Sequence, residues 1–410
     1  MNKTPGWCAL HLLLLMSLSA CARPGMLLKQ WPDFIDPRLT LADLNQDRVP
    51  DYLLTGYAYK PRKDTAGKPL TDSVAALDAR SGKRLWAYAT EGHIAGYPTL
   101  YRHKVYVGSA DRKIYALSAQ NGYVQWKYAT GGEVRGTPAA GYGHVYIGSR
   151  DRFLYALKAE TGQLAWRFQA AQAFDAPPAL YQKQVLAASW DQHLYALDAR
   201  SGQLQWKFKT DSYLSAAPVV DRGVVYQGSW DHFLYALDAS TGKLRWRFET
   251  RGVIEHASAV VFEDTVYVGS NDKYFYAVDR RSGRLKWAFE TADAIYATPA
   301  VSDAGVYFSC RDGYLYALTH AGELRWKERL NGAIRSSPAL GRQEVLIGSP
   351  QSGLSRLYDP FAQVHWGMYG GDPAHWQSTA LAAKETENIQ DIRSGWWLAR
   401  LWQDLSALFS

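Results

Sequence analysis

The chain has 410 residues, and 34 Gly, 27 Tyr and 16 Trp against only 4 Met suit short strands and tight turns, not a helical bundle. A charged fraction of 21% belongs to an ordinary globular chain and excludes a disordered one. The formal charge of +7 comes without any run of five Lys or Arg, which excludes nucleic acid as the expected partner.

In chain order, the first segment stands apart from the fold. Lys3 gives a short positive start, Ala9 to Leu18 is an apolar run, and Leu18-Ser19-Ala20-Cys21 follows. A stretch this short, ending in small residues, reads as a cleaved signal over residues 1–20 and not as a membrane span. Its last four residues resemble a bacterial lipobox. That resemblance implies a lipid on Cys21, and Ala22 behind it implies sorting to the periplasmic face of the outer membrane. Residues 21–36 then read as a tether. With Cys8 lost and Cys21 lipidated, Cys310 is a lone thiol and no intramolecular disulfide is expected.

Next comes an acidic loop, residues 43–51, ahead of an apparent strand at Tyr52-Leu53-Leu54. Asp43, Asn45, Asp47 and Asp51 put side-chain oxygens at positions 1, 3, 5 and 9 of the loop, a spacing that can wrap Ca²⁺. The loop resembles those of FG-GAP-type propeller repeats, although Arg48 stands where Gly makes the sharp turn and no Glu follows at position 12. The other reading is a polar turn whose carboxylates cap backbone N–H groups. Residues 59–72 read as an insertion.

From here the chain repeats. Trp86, Trp126, Trp166, Trp206, Trp246, Trp287, Trp326 and Trp366 recur every 39 to 41 residues. Each closes a phrase like Val224-Val225-Tyr226-Gln227-Gly228-Ser229-Trp230-Asp231, then Leu234-Tyr235-Ala236-Leu237-Asp238 and Thr241-Gly242. Two β-branched and aromatic runs around a short polar turn form a hairpin. Ser/Thr-Gly marks a second turn, and segments such as Ala297-Thr298-Pro299-Ala300-Val301 add a strand. Four strands in about 40 residues make one propeller blade. The expected fold is therefore all-β: an eight-bladed β-propeller of four-stranded antiparallel blades over residues 37–370. Each Trp is expected to wedge between neighbouring sheets.

Ala236-x-Asp238-x-x-Thr241-Gly242-Lys243-x-x-Trp246 resembles the tryptophan-docking motif of PQQ-repeat (quinoprotein-type) propellers. Similar copies run from Ala76, Ala156, Ala196 and Ala277. The copy at Ala317 is one residue short, and the eighth carries Tyr358 and Ala362 where Asp and Gly belong. Enzymes of this type would hold pyrroloquinoline quinone with Ca²⁺ and a catalytic Asp in the funnel. The constant repeat length leaves no room for the loops that build such a pocket, and no adjacent Cys pair is present, so PQQ is not expected and no catalytic residue is assigned. Among non-enzymes, the chain resembles the BamB family of propeller lipoproteins of the outer-membrane β-barrel assembly machine. That resemblance implies a periplasmic scaffold contacting a protein partner in the envelope. A PQQ-dependent dehydrogenase and a ligand-sensing propeller remain the alternatives.

Two columns vary while the repeat holds. One is the hairpin residue between Ser and Asp: Ala110, Arg150, Trp190, Trp230, Asn271 and Arg311. The other lies three before the strand Pro: Ala95, Arg135, Asp175, Ser215, Glu255, Tyr296 and Arg335. In an up-and-down blade both open on one face, so they should ring one mouth of the channel. Arg135, Arg150, Trp190, Trp230, Arg311 and Arg335 are accordingly the candidate partner-binding residues, with His193 and His232 as rim residues beside the two Trp. Residues 371–410 form an extension in which Ile389, Ile392, Trp396, Leu401 and Leu405 follow the spacing of an amphipathic helix.

Overall fold

Each repeat folds as a four-stranded antiparallel sheet, and eight such sheets are present in the computed structural model. The structure describes residues 27–31, 34–42, 44, 51–63, 69–79, 81–341 and 343–362. The expected signal segment, Cys21, Asp43, Asn45, Asp47, Trp366 and the stretch expected as a C-terminal helix lie outside them.

Blade five shows the local logic. Its strands are Val219–Asp221, Val224–Gly228, Phe233–Asp238 and Leu244–Glu249. The second strand is buried throughout and the third at its four central residues, because neighbouring blades cover both faces. That is why these strands read as continuous β-branched and aromatic runs. The outer strand alternates between exposed and half-buried positions. Ala236 pairs with Trp246 and Leu237 with Leu244, so Arg245 is the extra residue of a bulge. The same shift recurs where Trp86, Trp126, Trp166, Trp206, Trp287 and Trp326 enter their sheets.

The tryptophans join successive blades. Trp206 donates its indole N–H to the Ala239 carbonyl of the next blade at 3.0 Å. Its ring lies against Gly242, whose φ of +71° a side chain would strain. Asp238 shapes that turn by accepting the N–H groups of Ser240 and Thr241. Trp86, Trp126, Trp166, Trp246 and Trp287 make the equivalent bond at 2.8–3.0 Å. The seam from blade seven to blade eight differs. There Trp326 donates to the Asp359 carboxylate at 2.9 Å, which also accepts from Tyr307 and Arg325. Asp359 thus rebuilds the turn that lacks the motif's Asp and Gly.

The ring closes in a way the repeat pattern did not place. Blade eight comprises Ala339–Gly341, Glu344–Ser349, Gly353–Tyr358 and, as its outer strand, Leu27–Trp31. The stretch expected to be part of a tether therefore belongs to the propeller, which starts at residue 27 and not 37. The outer strand expected at Trp366 comes from the opposite end of the chain. Lys29 pairs with Arg356 in this sheet, the register position that a docking Trp holds elsewhere. Main-chain bonds between Leu27–Trp31 and Gly353–Tyr358 thus tie the two ends of the described chain into one blade. In blade one, Asp51–Lys63 and Pro69–Leu77 extend their ladder to Lys63 and Pro69, so much of the insertion prolongs a hairpin.

Candidate binding site at the channel mouth

In blades two to seven the mouth-facing hairpin is locked by its fixed Asp. Asp151 accepts the N–H of Phe153 at 3.0 Å, the hydroxyl of Tyr155 at 2.7 Å and the N–H of Gly131, from the incoming link, at 2.7 Å. Asp191 and Asp231 repeat all three contacts. Burial and the carboxylate push the Tyr155 hydroxyl well above its ordinary range, so it stays a donor. The residue before the Asp adds a main-chain bond to the same link. The N–H groups of Arg150, Trp190, Trp230, Asn271 and Arg311 donate to carbonyls there at 2.8–3.1 Å. Backbone and Asp fix the turn, so that side chain is not needed to form it.

Those side chains converge. A cavity of about 510 Å³ opens where the tips and links meet, and both variable columns line it. Arg135, Arg150, Trp190, Trp230 and Arg335 are lining residues, and Arg311, which is not, lies 5.5 Å from the ring of Tyr296, which also lines it. Blades four and five form an aromatic sector. Tyr213, 47% exposed, lies 6.2 Å from Trp190 and 5.9 Å from Trp230, centroid to centroid. Trp230 donates to Ser215 at 2.8 Å, and both Trp rings are half-buried.

Charges are arranged in pairs on one side and left open on the other. Arg150 donates Nε and Nη2 to Asp175 at 3.0 and 2.7 Å, which holds its guanidinium above the ordinary value, and it also lies 5.3 Å over Trp190. Arg135 binds Glu133 at 2.8 Å. Glu255 receives Asn271 at 3.1 Å. Arg311 and Arg335, by contrast, each sit 5.5 Å from the Tyr296 ring, and neither meets a carboxylate among the described residues.

Several residues fall elsewhere than their neighbours in sequence imply. His193 opens the strand that follows the turn, its ring bonded to the Asp191 carbonyl at 2.9 Å, and His232 holds a left-handed φ of 74°. Neither lines the cavity, whereas His93 and His256 do. Glu133 and Tyr213 were missed because each lies two residues before a tracked column. Asp51 is buried and accepts the Leu44 N–H at 3.1 Å, closing the acidic loop on itself. Among the described residues no three His, Cys, Asp or Glu side chains gather as metal ligands. Cys310 stands in a hairpin Ser position, is buried, and donates to the Asp293 carbonyl at 3.1 Å; burial pushes its thiol up to about 11.

The fold and repeat define a class. Residues 143–389, more than half of the chain, match the family model described as the β-propeller of beta-alanine-activating enzyme, and the chain belongs to that β-propeller family. Residues 70–189 match the model described as outer membrane protein assembly factor BamB, so the chain is a BamB-like PQQ-repeat propeller. Among solved structures, BamB from Moraxella catarrhalis is 18% identical with a TM-score of 0.67, over 83% of this chain and 99% of that one. A computationally designed protein, Ika8, is 14% identical with a TM-score of 0.68, over 82% of this chain and 100% of that one. No curated protein sequence matches the chain.

Proposed function

We propose that this propeller is a non-enzymatic scaffold of the bacterial envelope, lipid-anchored through Cys21 on the periplasmic face of the outer membrane, which binds a protein partner at the channel mouth. The match of residues 70–189 to the BamB model supports a role in outer-membrane protein assembly. The observation that carries the binding reading is the mouth itself. Tip side chains there vary from blade to blade while the Asp latch and the link bonds repeat, and the same mouth carries two Trp with an exposed Tyr in one sector and two carboxylate-free Arg in another. Aromatic and Arg side chains of this kind anchor interfaces. The acids at the mouth are committed to Arg150, Arg135 and Asn271, which favours a scaffold over a funnel built for a quinone and its metal.

Crosslinking in intact envelopes followed by capture of the protein tests the reading. Recovery of a β-barrel assembly complex is the expected result. Quinone-dependent dye reduction by the purified protein would overturn it in favour of an oxidoreductase.

A further inference from the structure

We propose that Arg311 and Arg335 form a seat for the carboxylate of an acidic side chain on the partner. The inference rests on the mouth being the binding surface and adds the chemistry it recognises. Both guanidinium carbons lie 5.5 Å from the Tyr296 ring, and Arg311 reaches the Tyr296 hydroxyl only at 3.5 Å. Arg311 Nε is buried without an acceptor, and Arg335 is exposed. The pair therefore keeps donors that no carboxylate of the described residues uses. The contrast within the same mouth is direct: Arg150 and Arg135 are both neutralised by Asp175 and Glu133. Glu255, on the blade next to Arg311, is engaged instead by Asn271 at 3.1 Å and faces His256 at 3.5 Å.

An open pair of planar forks suits a planar monoanion, because guanidinium and carboxylate match in two parallel hydrogen bonds. The aromatic sector on blades four and five stands apart from this pair on blades seven and eight, with blade six between them. A partner segment that touches both sectors spans the mouth, with the carboxylate carried on one of its acidic side chains.

The test is a titration of the full mature chain with N-acetylglutamate amide, followed through the Arg Nε–Hε signals by NMR. N-acetylglutamine amide and inorganic phosphate are the comparison probes. The glutamate probe is expected to shift the Arg311 and Arg335 signals to saturation, with the glutamine probe at least tenfold weaker. Arg335→Gln, at an exposed position, should keep the melting temperature and lose the Arg311 response. Equal response to both amides, or an unchanged Arg311 response in the variant, overturns the proposal. Tighter saturation by phosphate overturns it in favour of a phosphate seat. Loss of the envelope partner on truncating Trp190 and Trp230, with no carboxylate response, would sink this inference alone. A carboxylate response in a protein whose partner ignores the mouth would instead sink the binding reading.

Discussion

The Trp206 indole lies so close to Gly242 of the following blade that a Cβ on the glycine would come within 2.5 Å of the ring. Two demands meet at this glycine, a left-handed φ and contact with an aromatic face, and only a hydrogen satisfies both. Gly242→Ala is expected to cost about 2 kcal/mol or more, and Trp206→Ala about 3–5 kcal/mol through lost packing and an orphaned carbonyl. Their costs should not add, because either change breaks the same contact. Denaturant melts of the two variants and the double variant check this.

Acid should unfold the propeller through its docking turns. Hydrogen bonds from Ser201 and Ser282 hold Asp198 and Asp279 below the ordinary carboxylate range, and Arg245 followed by Ser240 does so for Asp238. A carboxylate whose folded value is depressed contributes stability above its unfolded value of about 4, and that stability is lost as pH falls through the folded value. Glu344, raised by burial, acts in the opposite sense but is one group against these three and Asp264, which Lys286 also holds down. The melting temperature should be flat near neutrality and fall below about pH 4, less steeply in Asp238→Asn. A variant with the wild-type acid limb would contradict the assignment.

Much of this architecture was legible in the sequence because the blade is a local unit. Spacing alone placed the strands, and Asp, Gly and Trp at fixed offsets marked turns whose bonds all lie within about one repeat. Ring closure was not legible, since Leu27–Trp31 pairs with residues more than 300 positions away and carries no turn signal of its own. The convergence of the two variable columns followed from strand order. The charge state of the mouth did not, because Arg150 finds Asp175 across a blade boundary, 25 residues on, while Arg311 and Arg335 find no such partner.

The acidic loop has a separate test. Asp43, Asn45, Asp47 and Asp51 are proposed to hold Ca²⁺ as a structural ion that stiffens blade one. A ligand bound only by the folded state raises stability by mass action. After thorough chelation, saturating Ca²⁺ should raise the melting temperature, and Asp47→Ala should abolish the rise. Without any shift, the loop is the polar turn that the Asp51–Leu44 bond already describes.

The proposed lipid anchor depends on one atom. With Cys21→Ser the thiol that would carry the lipid is gone, so the protein should leave the outer-membrane fraction as soluble or uncleaved chain. Membrane attachment equal to the parent protein would refute the lipid anchor.

The most direct measurement of the central claim is partner capture by a Trp190→Ala, Trp230→Ala double variant, with Tyr213→Ala beside it. Tyr213 is 47% exposed, so its removal should leave folding nearly untouched even if loss of the two half-buried indoles does not. Removing an aromatic anchor from an interface costs about 2 kcal/mol, roughly thirtyfold in affinity. Both variants should melt as cooperative folded proteins and lose most of the partner recovered by the parent chain. Full recovery by both folded variants would contradict the account and move the interface away from the channel mouth.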